Sequence, residues 1–264
     1  MKRTAVVLVE MRRTLRAPWG ATAILLTAVF LSCLVGSVAN AGEVPTAEEI
    51  LARAIAHHDP GDRFLSEPWC LTFRETRPGA SDRHTEILVD EPGERFRMVR
   101  RAEHEIAGVL DRERCEMTLD GRSDLTAAER EAHRVSCERL RLMRNYYVYL
   151  WGLPMKLRDP GTQLGTVQET EFEGKPVYGL RVTYDAEVGD DTWYFYFERQ
   201  SAALVGYRFY HDESKNDGEV ILLEGEHEAH GMRLPESRAW YTHQDDRHLG
   251  TDVLRSIESC PADG

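Results

Sequence analysis

The sequence predicts an α+β chain that is mainly β, built as one large antiparallel sheet with helices packed on one face. Three observations predict it. Apolar residues recur at every second position through most of the chain after residue 70. Short turns rich in Gly, Pro or Asp separate these runs, as in a meander of hairpins. Helical spacing behind an N-capping signature occurs at only two places, Thr46 and Thr126.

In chain order, the first element is a targeting segment. Lys2, Arg3, Arg12, Arg13 and Arg16 precede an apolar run from Ala21 to Val38, and Ala39-Asn40-Ala41 stands before Gly42. These are the three parts of a secretory signal peptide, residues 1–41, with cleavage expected after Ala41. Two other readings stand beside it. Residues 21–38 just reach the length at which a membrane-spanning helix begins, although Thr22, Thr27, Ser32, Gly36 and Ser37 dilute the run. Cys33 could be lipidated after Phe30-Leu31-Ser32, although a lipobox favours Leu and a small residue where Phe30 and Leu31 stand. Met11-Arg12-Arg13 opens a second, shorter signal, so translation starting at Met11 is a further expectation.

Thr46 to His58 reads as a helix, because Thr46 and Glu49 form a capping box and Ile50, Leu51 and Ala54 make an apolar stripe. From Leu71 the period becomes two. Phe73 lies between Thr72 and Arg74, Thr85, Ile87 and Val89 share one face, and Glu91-Pro92-Gly93 turns the chain into a strand with Phe96 and Met98. Ile106 to Leu110 and Cys115 to Leu119 form another pair. Thr126 and Glu129 open a second helix, expected to run without interruption to Gly152 because no Gly or Pro intervenes. Arg144 and Asn145 near its end are expected to be structural, with the Arg on last-turn carbonyls.

After the turn-rich stretch Asp159-Pro160-Gly161-Thr162 come strands from Val167 to Ile257. Tyr178, Leu180, Val182 and Tyr184 alternate with smaller or polar residues, Trp193 to Phe197 is wholly aromatic, and Val220 to Leu223 is aliphatic. The expected sheet has about eight to eleven strands.

Composition narrows the function. The chain carries 33 Lys and Arg against 45 Asp and Glu, a formal charge of −12. Loss of residues 1–41, with five basic residues and one acidic, leaves −16. Such a surface repels phosphate backbones and no dense basic cluster offsets it, so nucleic acid is discarded as a partner. The remaining 223 residues, 42–264, suffice for one core, and neither a linker nor a repeat divides them. They are expected to form a single domain with no stable membrane span after cleavage.

Four cysteines remain after cleavage, an even number that suits an oxidising compartment, and none forms Cys-x-x-Cys. Three connectivities are open. Cys115 in a strand before the second helix and Cys137 within that helix are separated by 22 positions, which favours one disulfide between them. Cys70 opens the first strand and Cys260 follows the last, which favours the other, across the closing side of the sheet.

The layout as a whole resembles the periplasmic lipoprotein-carrier superfamily of the LolA and LolB type. Trp193-Tyr-Phe-Tyr-Phe-Glu-Arg-Gln-Ser-Ala-Ala-Leu-Val-Gly-Tyr207 is similar to a hairpin of that family with a turn of the type Asp-x-x-Thr-x-x-Leu. The stretch Met143 to Thr162 resembles uncharacterised exported bacterial proteins of the same fold. The resemblance covers residues 46–258 and implies a curved open half-barrel whose apolar concavity, covered by helices, holds acyl chains. It implies no catalytic residue.

Motifs for chemistry are sparse. His227-Glu228-Ala229-His230 is not His-Glu-x-x-His, and its histidines fall on opposite faces of a strand. His243, Asp245, Asp246 and His248 have ligand-type side chains but read as a solvated hairpin tip. Asp212 to Gly218 lacks the Gly and Glu of a calcium loop. Nucleophile-elbow and phosphate-loop signatures are absent, so no cofactor, metal or catalytic residue is assigned. The distinctive feature is aromatic: Trp193, Phe195 and Phe197 on one face and Tyr194 and Tyr196 on the other. By alternation, Phe73, Phe96, Met98, Tyr178, Leu180, Trp193, Phe195 and Phe197 are the expected lining of a ligand cavity. The expected function is an exported, non-enzymatic protein binding a lipid or a lipidated protein. The alternatives are a protein-interaction or envelope-sensor module of the same fold, and then a hydrolase.

Overall fold

The computed structural model describes residues 44–260; the expected signal segment, the 21–38 run and Cys33 lie outside them. Its twelve strands form one sheet in which every pairing is antiparallel. The sheet is curved and open, ordered β5-β4-β3-β2-β1-β12-β11-β10-β9-β8-β7-β6.

This order explains where the helices lie. Strands β1 (Trp69–Thr76), β2 (Arg83–Asp90), β3 (Arg95–Arg101), β4 (Glu105–Asp111) and β5 (Arg114–Leu119) meander outward to one edge. The chain then crosses the sheet through α2 (Ala127–His133) and α3 (Cys137–Trp151). It re-enters at the opposite edge as β6 (Thr162–Phe172) and returns through β7 (Lys175–Tyr184), β8 (Thr192–Glu198), β9 (Leu204–Tyr210), β10 (Glu219–Ala229) and β11 (Met232–Thr242). The last strand, β12 (His248–Ser259), pairs with β1 at the centre. Helix α1 (Ala47–His58) precedes β1 and packs Ile50, Leu51 and Ala54 into the same face.

Two capping boxes hold as read, with Thr46 accepting from the Glu49 backbone and Thr126 from that of Glu129. The single long helix does not. Arg134 adopts a left-handed conformation that ends α2, and Ser136 caps a new helix by accepting from the Arg139 backbone. Val135 between them is fully buried. Burial of that one apolar residue and a fresh Ser cap favour a bend where the sequence has no Gly or Pro to announce one. None of the residues of α2 is buried, and the concave face is covered instead by α1, α3 and the segment of Leu153, Met155 and Leu157 that follows.

The strand count exceeds the expected eight to eleven. Strand β6 begins at Thr162, five residues before the expected Val167, and a bulge between Leu164 and Val167 disrupts its alternation. Strands β10 and β11 extend as a polar hairpin beyond the apolar segments that announce them.

Both edges are blunted. Glu169 and Glu171 stand on β6 beside its bulge, and β5 is tied to α3 through Cys115 and Cys137. Cys70 and Cys260 are joined as well, with Cα atoms 5.5 Å apart, against 6.0 Å for Cys115 and Cys137. The Cys70 bridge lies at the centre of the sheet, where the two meanders meet, instead of on a closing side.

Arg144 is structural through a different contact from the expected one. Its guanidinium meets Glu91 Oε1 at 2.6 Å, and the end of α3 is instead closed by the Gly152 N–H on the Val148 carbonyl.

Candidate functional site

A charged row crosses the middle of the concave face. Arg83 of β2 pairs in register with Glu75 of β1, Glu75 with Asp252 of β12, and Asp252 with Arg238 of β11. Glu75, Asp252 and Arg238 are 1%, 3% and 0% exposed. Alternation places them on this face: Glu75 follows Trp69, Leu71 and Phe73, and Arg238 shares parity with buried Trp240. A buried charge is costly unless paired and hydrogen-bonded, so the partners of each decide what the row does.

Helix α3 supplies partners for the two carboxylates. Adjacent helical residues point about 100° apart, which sends Tyr147 towards β1 and Tyr146 towards β12. The Tyr147 hydroxyl donates to Glu75 Oε1 at 2.8 Å and accepts from Arg100 Nη2 at 2.8 Å. Thr85 donates to the other Glu75 oxygen at 2.6 Å and accepts from Arg100 Nε at 3.3 Å, closing a ring of four side chains. Burial alone would raise the Glu75 pKa, but Arg100, Arg83 and the bonds from Thr85 and Tyr147 outweigh it and hold the carboxyl below its usual value.

Asp252 has partners of its own. Arg77 lies 2.8 Å from Oδ1, while Oδ2 accepts from Tyr146 at 3.0 Å and from Trp240 Nε1 at 3.1 Å. Arg238 differs from both acids. Its Nη2 donates to the Leu150 carbonyl at 2.5 Å and its guanidinium lies 3.7 Å from the centre of the Trp151 ring. Its Nε and Nη1 have no hydrogen-bond partner among the described residues.

The apolar surroundings fall into two packed groups. Phe73, Phe96 and Met98 lie with Tyr147 and Trp151 over β1 to β5. Leu180, Trp193, Phe195 and Phe197 lie with α1, Tyr149, Leu150, Tyr207 and Trp240 over the other half. Phe73 packs on Tyr147 and Trp151 at 5.4 and 4.6 Å, and Trp193 on Phe209 at 4.8 Å. Tyr178 is only partly buried and lies under Arg199, 5.5 Å from its ring centre. Thus the eight residues expected to line one cavity divide between two groups on the same face. Full burial of each large side chain contributes about 1.5–3 kcal/mol.

Outside this face, His57, His58 and Glu226 bring three potential metal-ligand atoms within 4.8 Å of one another, a set that sequence spacing did not reveal. His58 is already committed: Nδ1 donates to the Arg233 carbonyl at 2.6 Å and Nε2 accepts from the Leu204 N–H at 2.8 Å. Burial is the main force lowering its pKa to about 4, so it is neutral near pH 7. Its chemistry is that of a buried tie between α1 and two strands. His57 bonds Glu226 at 2.6 Å beside a cleft of about 310 Å³ lined by Pro60, Glu228, His230 and Arg233. His230, at the β10–β11 turn, packs on Trp69 at 5.2 Å, and Asp245 and Asp246 lie in the β11–β12 turn.

Sequence reading missed the charged row although its signal is present. A charge at a position whose parity is otherwise apolar marks each member. Among the described residues no helix is long and apolar enough to cross a membrane.

The folded chain is similar to a LolA superfamily protein of Nitrosomonas europaea, with a TM-score of 0.50, 12% identity, and coverage of 82% of this chain and 94% of that one. This likeness shows a LolA-like fold. A putative outer membrane lipoprotein-sorting protein domain of Vibrio parahaemolyticus gives 0.47, 10%, 82% and 94%, and a DUF1329 protein of Desulfovibrio piger gives 0.46, 8%, 82% and 94%. No curated protein matches. A family model described as a family of unknown function, DUF6503, matches residues 25–258.

Proposed function

We propose, for a chain that belongs to the DUF6503 family, the function of an exported, non-enzymatic binding protein that holds a lipid or acylated partner on its concave face. One observation carries the reading. The concave face presents two apolar beds, Trp193, Phe195, Tyr207 and Phe209 in one half and Phe73, Phe96 and Met98 in the other, on either side of the charged row. An acyl chain needs such an apolar surface, and side-chain packing can be exchanged for ligand packing without breaking a strand pairing.

Export is part of the proposal. Residues 1–41 read as a signal peptide, and two disulfides suit an oxidising compartment, periplasmic or extracellular. The N. europaea likeness supports the fold on which the reading depends.

A second reading, a protein-interaction or sensor module without ligand, is favoured by the complete burial of Leu180, Phe195 and Phe197. Native mass spectrometry of protein purified from an exporting host, followed by solvent extraction, separates the two. Co-purifying lipid is the expected result. A ligand-free protein that also takes up no lipid from phospholipid vesicles would overturn the carrier reading in favour of the module.

A further inference from the structure

We propose that Arg238 is an anchor for the carboxylate of a single-chain acyl ligand, such as a free fatty acid. This rests on the acyl-binding reading above and assigns the chemistry of its head group.

The argument begins with an imbalance in the charged row. Glu75 has its oxygens occupied by Thr85, Tyr147, Arg100 and Arg83, and Asp252 is held by Tyr146 and Trp240 on Oδ2 and by an ion pair to Arg77 on Oδ1, an oxygen that accepts no hydrogen bond. Asp252, the cross-strand neighbour of Arg238, therefore has its own cation. The other in-register neighbour of Arg238 is Leu223, which has no charge to offer. A fully buried guanidinium is left with one carbonyl, one aromatic face and two N–H-bearing nitrogens without an acceptor. A desolvated cation is strongly disfavoured unless an anion compensates it.

The neighbouring polar atoms are of the same kind. The Tyr207 hydroxyl is buried beside the Arg238 guanidinium with no acceptor for its own proton, and burial pushes its pKa up to about 12 against the charge of Arg238 and a side-chain interaction with it. It is therefore a proton donor near pH 7. Trp193, whose ring lies 5.8 Å from that of Tyr207, has a buried indole N–H without an acceptor. Arginine, phenol and indole all offer protons, which specifies an acceptor, and the buried guanidinium specifies an anion. A carboxylate costs less to desolvate among these apolar side chains than a phosphate dianion, and a neutral ester would leave the guanidinium uncompensated. The surrounding Leu150, Trp151, Trp193 and Trp240 supply apolar contact for the rest of the ligand. The head group lies between the last turn of α3 and strands β9 to β11.

The test titrates the full mature chain with palmitate, methyl palmitate and dodecyl phosphate, and repeats the series with Arg238→Met. Wild type should bind palmitate on the order of 10- to 100-fold more tightly than its methyl ester, as charge-assisted hydrogen bonds require. The variant should lose that preference and retain methyl palmitate. Equal binding of acid and ester by wild type, an unchanged preference in the variant, or tighter binding of dodecyl phosphate would overturn the carboxylate anchor while leaving acyl binding intact. Failure of all three probes to bind wild type would overturn both. If Arg238→Met does not fold, carboxyl-labelled palmitate bound to wild type decides the matter by NMR. A carboxyl that stays ionised below its free titration range supports the anchor, and one that titrates as in water removes it.

Discussion

Tyr147 and Glu75, 72 positions apart in sequence, meet through a 2.8 Å hydrogen bond that fastens the middle of α3 to the first strand. The same hydroxyl accepts from Arg100, so one oxygen couples a buried carboxylate to a half-buried guanidinium. Tyr147→Phe removes only that oxygen. It leaves Glu75 Oε1 and Arg100 Nη2 short of a partner inside the fold, a loss of about 1–3 kcal/mol. Urea unfolding at neutral pH should show a lower midpoint with an unchanged slope, and an unaltered midpoint would mean that the ring contributes nothing.

Glu75 also sets an acid limit. Its folded-state pKa lies below its ordinary value of 4.5, so its contribution is present above that value and is lost as pH falls through the folded-state pKa. Glu75→Gln should be less stable than wild type near pH 7 and lose less on acidification below 4.5. Parallel stability curves for the two proteins would contradict this.

His58 titrates in a higher window. Its pKa falls from 6.5 to about 4 on folding, so the unfolded chain binds the extra proton between those values. The stabilisation is fully present above 6.5 and disappears as pH falls towards 4, on the order of 3 kcal/mol in total. His58→Asn should flatten this limb of the stability curve between pH 6.5 and 4. Retention of the wild-type slope would place the titrating group elsewhere.

The two disulfides differ in the chain they close, 22 residues for Cys115–Cys137 and 190 for Cys70–Cys260. In the chain-entropy account these loops contribute about 3 and about 5 kcal/mol. Paired Cys→Ser variants should therefore lose stability in that order, measured by urea unfolding without reductant. The reverse order would show that native-state packing around α3 outweighs loop closure.

Gly108 on β4 lets α3 approach closely. A Cβ at this position would lie 2.6 Å from a methyl of buried Leu140. Gly108→Ala should destabilise by about 1–3 kcal/mol through overpacking, and Gly108→Ala with Leu140→Ala should recover part of that loss. Strict additivity in the double-mutant cycle would show that the two sites do not meet.

What the sequence determined by itself is local. The capping boxes at Thr46 and Thr126, the alternation of Thr85, Ile87 and Val89, and the aromatic face of Trp193, Phe195 and Phe197 each depend on neighbours a few positions away. Even the pairs Cys115–Cys137 and Cys70–Cys260, brought to bonding distance here, follow from where strands and helices begin and end. Alternation states which face a residue occupies, and it does not state which residue stands beside it. Glu75, Asp252 and Arg238 come from three strands up to 177 positions apart, and their alignment follows only from the central pairing of β1 with β12 and the register of β12 with β11. The break at Arg134 is likewise tertiary, because burial of Val135 and the tie of Cys137 to β5 outweigh a helical pattern without a breaker. Tertiary structure thereby leaves Arg238 buried and incompletely paired, since a cross-strand partner depends on long-range register that period-two patterning does not contain.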